Sequence, residues 1–153
     1  MSKPLTTNKL RTLLLEASAG TPFSLLDDTL KWILLDTAYV PDVAHDFVDD
    51  VAANEVSGTG YASGFAGSGR KTVASKDVIF DGTGVPAFDA ADPTWTGADF
   101  GQPGWLGFWK PGTSDADSPF LGVIKLTTEP TDGTDFSVHI PAAGLFPLKD
   151  VTP

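Results

Sequence analysis

Glycine and proline interrupt the chain at short intervals, and this feature limits the available folds more than any other. The 153 residues include 16 glycines and 12 prolines, whereas these two types together make up about 12 % of average protein composition. Because both residues favour turns and disfavour helix interiors, their excess predicts many turns between short strands. A chain of this length can bury one hydrophobic core.

The composition excludes several classes of function. The chain has no cysteine, which excludes disulfides, cysteine-zinc sites and thiol nucleophiles. Its formal net charge is −10 and its 10 basic residues are dispersed, so we expect no nucleic-acid partner. The longest apolar runs, 13–15 and 32–35, are too short for a membrane span or a signal-peptide core. We therefore expect no membrane partner either.

One short helix is predicted near the N-terminus. Leu10, Leu13, Leu14 and Ala17 fall on one stripe of a 3.6-residue repeat. A threonine at position 6 or 7 can cap the first turn, and Gly20 is expected to follow the last.

Residues 1–20 form a basic segment that we distinguish from the rest of the chain. Residues 1–15 contain no acid, whereas residues 42–55 contain five acids and no base. In one interpretation, the segment is a docking arm that meets the acidic segment of a neighbouring copy. In the other, the helix packs on its own sheet. The predicted partner-interface residues of the docking arm are Lys3, Lys9, Leu10, Arg11, Leu13 and Leu14.

Residues 21–153 are predicted to form a single β domain, a sandwich or a small barrel. Its predicted strands are 30–36, 73–80, 105–110, 121–128, 136–140 and 144–148. Both faces of 30–36 are apolar, so this strand is expected to be central, or covered by the helix or a neighbouring subunit. The spacing of apolar residues between 39 and 51 allows a short acidic helix.

The sequence contains no recognisable catalytic constellation. The run from Gly67 to Thr72 differs from a phosphate loop because Arg70 occupies the glycine position before the lysine. His45 and His139, which could titrate near neutral pH, are expected at the surface. We therefore predict a non-enzymatic protein without a cofactor.

A cluster of acids leaves one alternative open. Asp42, Asp46, Asp49 and Asp50 could offer oxygen ligands to calcium, but they lack the Asp-x-Asp-x-Asp-Gly loop with a distal glutamate. We interpret them as a solvated acidic face and predict no metal site, with calcium as the alternative.

The segment Ala53-Asn54-Glu55-Val56-Ser57-Gly58-Thr59-Gly60-Tyr61 resembles a stretch found in small virion structural proteins of tailed phages, labelled head-decoration, minor structural or minor tail proteins. The resemblance covers most of residues 9–148. Other matching stretches, in the expected order, are Asp28–Leu35, Asp89–Trp95, Phe108–Lys110, Leu121–Leu126 and Phe136–Ile140.

The resemblance implies a β-rich, non-catalytic protein located in the virion, with the major capsid protein or other virion proteins as partners. We expect a capsid decoration (cement) protein that binds the assembled shell and forms homo-oligomers. The alternative is a neck or minor tail adhesion protein, for which the four tryptophans could form a sugar platform.

Within the matching segment, Asn54, Gly58, Gly60 and Tyr61 are interpreted as a structural loop. Asn54 tolerates left-handed backbone and can bond to its own turn, and the glycines permit positive φ. Tyr61 can anchor the loop through its ring and its hydroxyl. Direct contact of this loop with a partner is the other interpretation.

Overall fold

The computed structural model of the protein describes residues 5–17, 23–80 and 84–146, and only the backbone of residues 14–17. The fold is mainly β, with 32 % strand and 12 % helix, which confirms the predicted class with its one short N-terminal helix. None of the described helices is long and apolar enough to cross a membrane.

The described residues form eight strands, one α-helix and three short 3₁₀ helices. The strands are β1 (Leu5–Thr6), β2 (Lys31–Asp36), β3 (Asp77–Phe80), β4 (Pro86–Asp89), β5 (Thr94–Trp95), β6 (Pro103–Trp109), β7 (Phe120–Lys125) and β8 (Phe136–Ser137). The helix α1 is Asn8–Ala17, and the 3₁₀ helices are Val48–Asp50, Ala52–Asn54 and Asp115–Asp117. An antiparallel sheet has the order β1-β7-β6-β2, and β3 with β4 and β5 with β8 form two small antiparallel sheets.

The four-stranded sheet is covered on both faces. Alternate side chains of a strand point to opposite faces, and Trp32 and Leu34 of β2 join the larger apolar cluster while Ile33 and Leu35 join the smaller one. The smaller cluster also includes Tyr39, Val48, Val51, Trp109, Phe120 and Val123. The apolar second face of β2 is therefore covered by segment 39–51 of the same chain.

The outer edge of β2 is protected, although β2 is the last strand of its sheet. The N–H of Trp32 donates to the Lys71 carbonyl at 2.7 Å, and the N–H of Val56 donates to the Leu34 carbonyl at 3.1 Å. These two loops replace a neighbouring strand and prevent edge-to-edge pairing there.

The helix α1 is capped by Thr7, one of the two predicted caps. The Thr7 hydroxyl accepts the Leu10 N–H at 3.2 Å and donates to the Phe120 carbonyl at 2.6 Å. The same side chain thus accepts a backbone N–H of the first helical turn and links the helix to β7. The expected end of the helix at Gly20 lies outside the described residues.

Five predicted elements differ from the structure. The predicted strands 121–128 and 136–140 end earlier, at Lys125 in β7 and at Ser137 in β8. The ladder of β8 ends because Pro93, which accepts the Val138 N–H, has no N–H to donate in return. The predicted strand 73–80 is shortened to β3 because Ser75 has a φ of 51°, in the left-handed region that interrupts extended backbone. The acidic helix is replaced by the 3₁₀ helices 48–50 and 52–54. Of the predicted strand 144–148, Leu145 forms an isolated bridge to Phe88, and residues 147–148 lie outside the described part.

Candidate partner interface and its supporting loop

The segment 53–61 contains a buried carboxylate. Glu55 accepts hydrogen bonds from the Tyr61 hydroxyl at 2.9 Å and the Gly64 N–H at 2.9 Å, and from Arg70 Nε and Nη2 at 2.8 and 2.7 Å. The side chains of Glu55 and Arg70 are 1 % and 0 % exposed. The four donors occupy the acceptor capacity of a carboxylate, so Glu55 holds the loop 55–70 together.

Arg70 extends this network to a second loop. It also bonds Asp115, with 3.0 Å between Nη2 and Oδ2, and its guanidinium lies 5.1 Å from the centre of the Trp109 ring. Burial opposes the positive charge, but the hydrogen bonds to Glu55 and Asp115 raise the pKa of Arg70. Arg70 is therefore a permanent cation that joins the loop 55–70 to the loop between β6 and β7.

Tyr61 has both features expected of an anchor. It is 1 % exposed, and its hydroxyl donates to Glu55 and accepts the Leu34 N–H at 3.1 Å. Burial and the neighbouring charge of Glu55 raise the pKa of Tyr61 above its usual range, so the hydroxyl remains a donor. A Cβ at Gly69 would lie 2.4 Å from the Tyr61 ring, so this position also requires glycine.

Gly58 and Gly60, the two glycines predicted as structural, are needed for different reasons. Gly60 has a φ of 81°, and a Cβ there would lie 2.7 Å from the Thr96 carbonyl oxygen. Gly58 does not have a positive φ, so the expectation that it uses one is wrong. Gly58 is instead required by space, because a Cβ would lie 2.4 Å from the Asp99 carbonyl oxygen.

The Asn54 side chain bonds to another strand and not to its own turn. Its backbone is not left-handed, and its Nδ2 donates to Asp36 Oδ1 at the end of β2, at 3.3 Å. The predicted conformation of Asn54 is therefore wrong, because Asn54 closes a 3₁₀ helix and reaches the neighbouring strand.

The leucines assigned to the docking arm lie with the core of their own chain. Leu10 is 3 % exposed in the larger cluster, and Leu13 is half-buried against the same cluster. The side chain of Leu14 lies outside the described part of the structure. A partner could contact Leu10 only if α1 left the sheet.

The basic residues of the arm lie nearer the surface. Arg11 is exposed, and the half-buried Lys9 places Nζ 4.8 Å from the centre of the Phe47 ring. The Asn8 N–H donates to the Val43 carbonyl at 2.9 Å. The basic helix therefore already adjoins the acidic segment within one chain, and Lys3 lies outside the described residues.

Two carboxylates of the acidic segment accept hydrogen bonds from backbone N–H groups of the same segment. Asp42 Oδ1 accepts the Ala44 N–H at 2.9 Å, and Asp50 Oδ2 accepts the N–H groups of Asp46 and Phe47 at 3.0 Å each. Among the described residues, no three His, Cys, Asp or Glu side chains are grouped to hold a metal ion. Glu55, counted in the acidic run of the sequence, is not solvated.

The two histidines have different surroundings. His139 is exposed as predicted, and its Nδ1 lies 2.9 Å from Asp92 Oδ2. His45 is half-buried, with Nδ1 2.9 Å from the Tyr39 hydroxyl. Burial and the charge of Asp42 raise the pKa of Tyr39 to about 12, so this hydroxyl is neutral beside His45.

The tryptophans do not form a common sugar platform. Trp32, Trp95 and Trp109 are at most 1 % exposed, whereas Trp105 is half-buried beside Lys125, whose Nζ is 5.7 Å from the ring centre. Three of the four rings are therefore core residues, and the sugar-platform hypothesis loses its main support.

No family model, curated protein or solved structure matches the chain.

Proposed function

We propose that the protein is a non-enzymatic structural component of a tailed-phage virion, and that it decorates the capsid by binding the assembled shell. The proposal depends on the segment 53–61, which is the most specific part of the resemblance. The observation that carries it is that Glu55 and Tyr61 of this segment form a buried network with Arg70.

The network supports a structural role for this segment. A catalytic carboxylate needs a free oxygen within reach of a substrate, whereas Glu55 is 1 % exposed and bonded to Tyr61, Gly64 and Arg70. The contacts of Glu55 are therefore those of a structural side chain.

The separation of basic and acidic surfaces supports self-association on a repetitive lattice, against the net charge. Many copies with a net charge of −10 repel each other, most strongly at low salt. The basic surface of Lys9 and Arg11 adjoins the acidic segment 42–50 in one protomer. Two such protomers related by a two-fold axis can each place the acidic segment against the other's basic surface, which offsets part of this repulsion.

Purified protein added to shells assembled without it should co-sediment with them and raise their resistance to heat, since a ligand of the assembled state stabilises that state. Purified neck and tail components are the matched control. Binding to these components and not to shells would favour the neck or tail alternative, and binding to neither would contradict the proposal.

A further inference from the structure

A narrow slot lies between the four-stranded sheet and the small sheet of β5 and β8. It has a volume of about 260 Å³ and is lined by Leu126, Thr127 and Thr128 on one side and by Ser137, Val138 and His139 on the other. Leu126 and Val138 are 8 % and 4 % exposed and belong to the larger apolar cluster. The apolar part of the slot is therefore continuous with the core.

Each side of the slot has backbone N–H groups that are not bonded to the other side. The Val138 N–H donates to the Pro93 carbonyl at 3.0 Å, towards β5. Successive N–H groups of extended backbone point in opposite directions, so those of Ser137 and His139 point away from β5. On the other side, the Leu126 N–H donates to the Gly104 carbonyl at 2.8 Å, so by the same alternation the Thr127 N–H points away from β6, and it has no partner among the described residues.

No backbone hydrogen bond between described residues crosses the slot. The two sheets thus meet along a gap that one extended chain segment would fill by bonding to both edges, which is the geometry of strand addition. Alternate side chains of such a segment would face Leu126 and Val138, where only small or apolar groups avoid burying an unsatisfied polar atom.

The charges around the slot indicate which charged residues a bound segment would carry. Glu129, Asp132 and Asp135 line a second depression that shares Thr127 and Thr128 with the slot. Lys125 lines a third depression, which also shares these threonines with the slot. A segment passing from the slot towards the three carboxylates is favoured by Lys or Arg at that end.

We propose that this slot binds an extended segment of the shell protein by strand addition, with basic residues at the end near Glu129. The inference rests on the proposed function and names the surface that performs it. Backbone bonds supply affinity and the carboxylates set the direction of the segment.

Hydrogen exchange on the wild-type protein, with and without shells assembled in its absence, tests the slot directly. Slowed exchange at the amides of Thr127, Ser137 and His139 on shell binding is expected. Unchanged exchange there, while the protein binds shells, would overturn the inference and leave the proposed function intact. Failure of the wild-type protein to bind shells would overturn both.

Two variants provide a second test. Thr127→Pro removes an N–H that no described residue uses, and Glu129→Lys reverses an exposed charge without affecting a buried group. Each should weaken shell binding about tenfold, as expected for one lost hydrogen bond or charge contact. Asp77→Lys, the same kind of reversal on exposed β3, is the control and should bind normally.

Equal binding by Glu129→Lys and Asp77→Lys would contradict the predicted direction and chemistry of the segment, even if Thr127→Pro fails to fold. Protection of the slot amides on self-association, before any shell is added, would overturn the assignment to a shell segment and identify a second copy as the occupant.

Discussion

Glu55 and Arg70 form an ion pair that solvent does not reach, with 2.7 Å between Oε2 and Nη2 and side chains 1 % and 0 % exposed. The pair joins a loop rich in glycine to β2 through Tyr61 and to the β6–β7 connection through Asp115. Loops of this composition lose much conformational entropy on folding. The pair therefore gives a turn-rich chain one defined arrangement, and its removal should affect several loops together.

Replacing Arg70 by Met should destabilise the protein by about 3–5 kcal/mol, because Glu55 would remain buried without its cation. Urea unfolding measures this loss. The control is Lys110→Met, which removes an ion pair with Asp28 whose side chains are 31 % and 26 % exposed and should cost about 1 kcal/mol or less. Equal effects of the two variants would contradict the assigned role of the network.

Gly60→Ala should lower the melting temperature more than Gly64→Ala. Both glycines have positive φ, 81° and 88°, so both substitutions introduce backbone strain. Only at Gly60 does a Cβ also meet a backbone atom, the Thr96 oxygen at 2.7 Å, whereas nothing lies within 4 Å at Gly64. Thermal unfolding of the two variants compares them, and a larger loss at Gly64 would show that the contact at Gly60 is unimportant.

Leu10→Ala should destabilise the fold by about 2–5 kcal/mol, the usual cost of a large-to-small change in a core.

The paired substitution Lys9→Ala and Arg11→Ala should leave urea unfolding nearly unchanged while weakening association between copies, measured by sedimentation at low salt. Deletion of residues 1–20 combines both effects. If the deleted chain keeps its melting temperature, α1 is an arm and not part of the core.

Asp117→Asn should reduce stability at neutral pH, and the reduction should shrink in acid. Hydrogen bonds from the Thr113 hydroxyl and backbone, and from Ser114, lower the pKa of Asp117 below its ordinary 3.8. A lowered pKa in the folded state stabilises the protein above 3.8, and this contribution is lost as the pH falls below that value. Urea unfolding of both proteins across this range tests the sign. A difference that grows in acid would contradict it.

The sequence predicts the elements whose pattern is local. The strands predicted at 30–36 and 105–110 and the leucine stripe after Thr7 correspond to β2, β6 and α1. The strand β4 was missed because it begins with Pro86, holds four residues and pairs only with its hairpin neighbour and Leu145. The left-handed Ser75 has no sequence signal either, since serine seldom adopts that conformation.

The site could be predicted only in part. The importance of Gly60 and Tyr61 follows from residue type, but the burial of Glu55 does not, because the sequence does not reveal its distant partners. Arg70 and Asp115 are 45 residues apart, and no local pattern links them. A single arginine within a glycine-rich loop of an acidic chain is the one signal that could have indicated a buried cation.

The number of copies per virion tests the central claim most directly. Quantitative mass spectrometry of purified particles gives this number relative to the major capsid protein. A decoration protein that binds repeated shell sites predicts a copy number comparable to that of the major capsid protein. A handful of copies per particle would contradict decoration and place the protein at the neck or tail, and absence from purified virions would contradict the whole account.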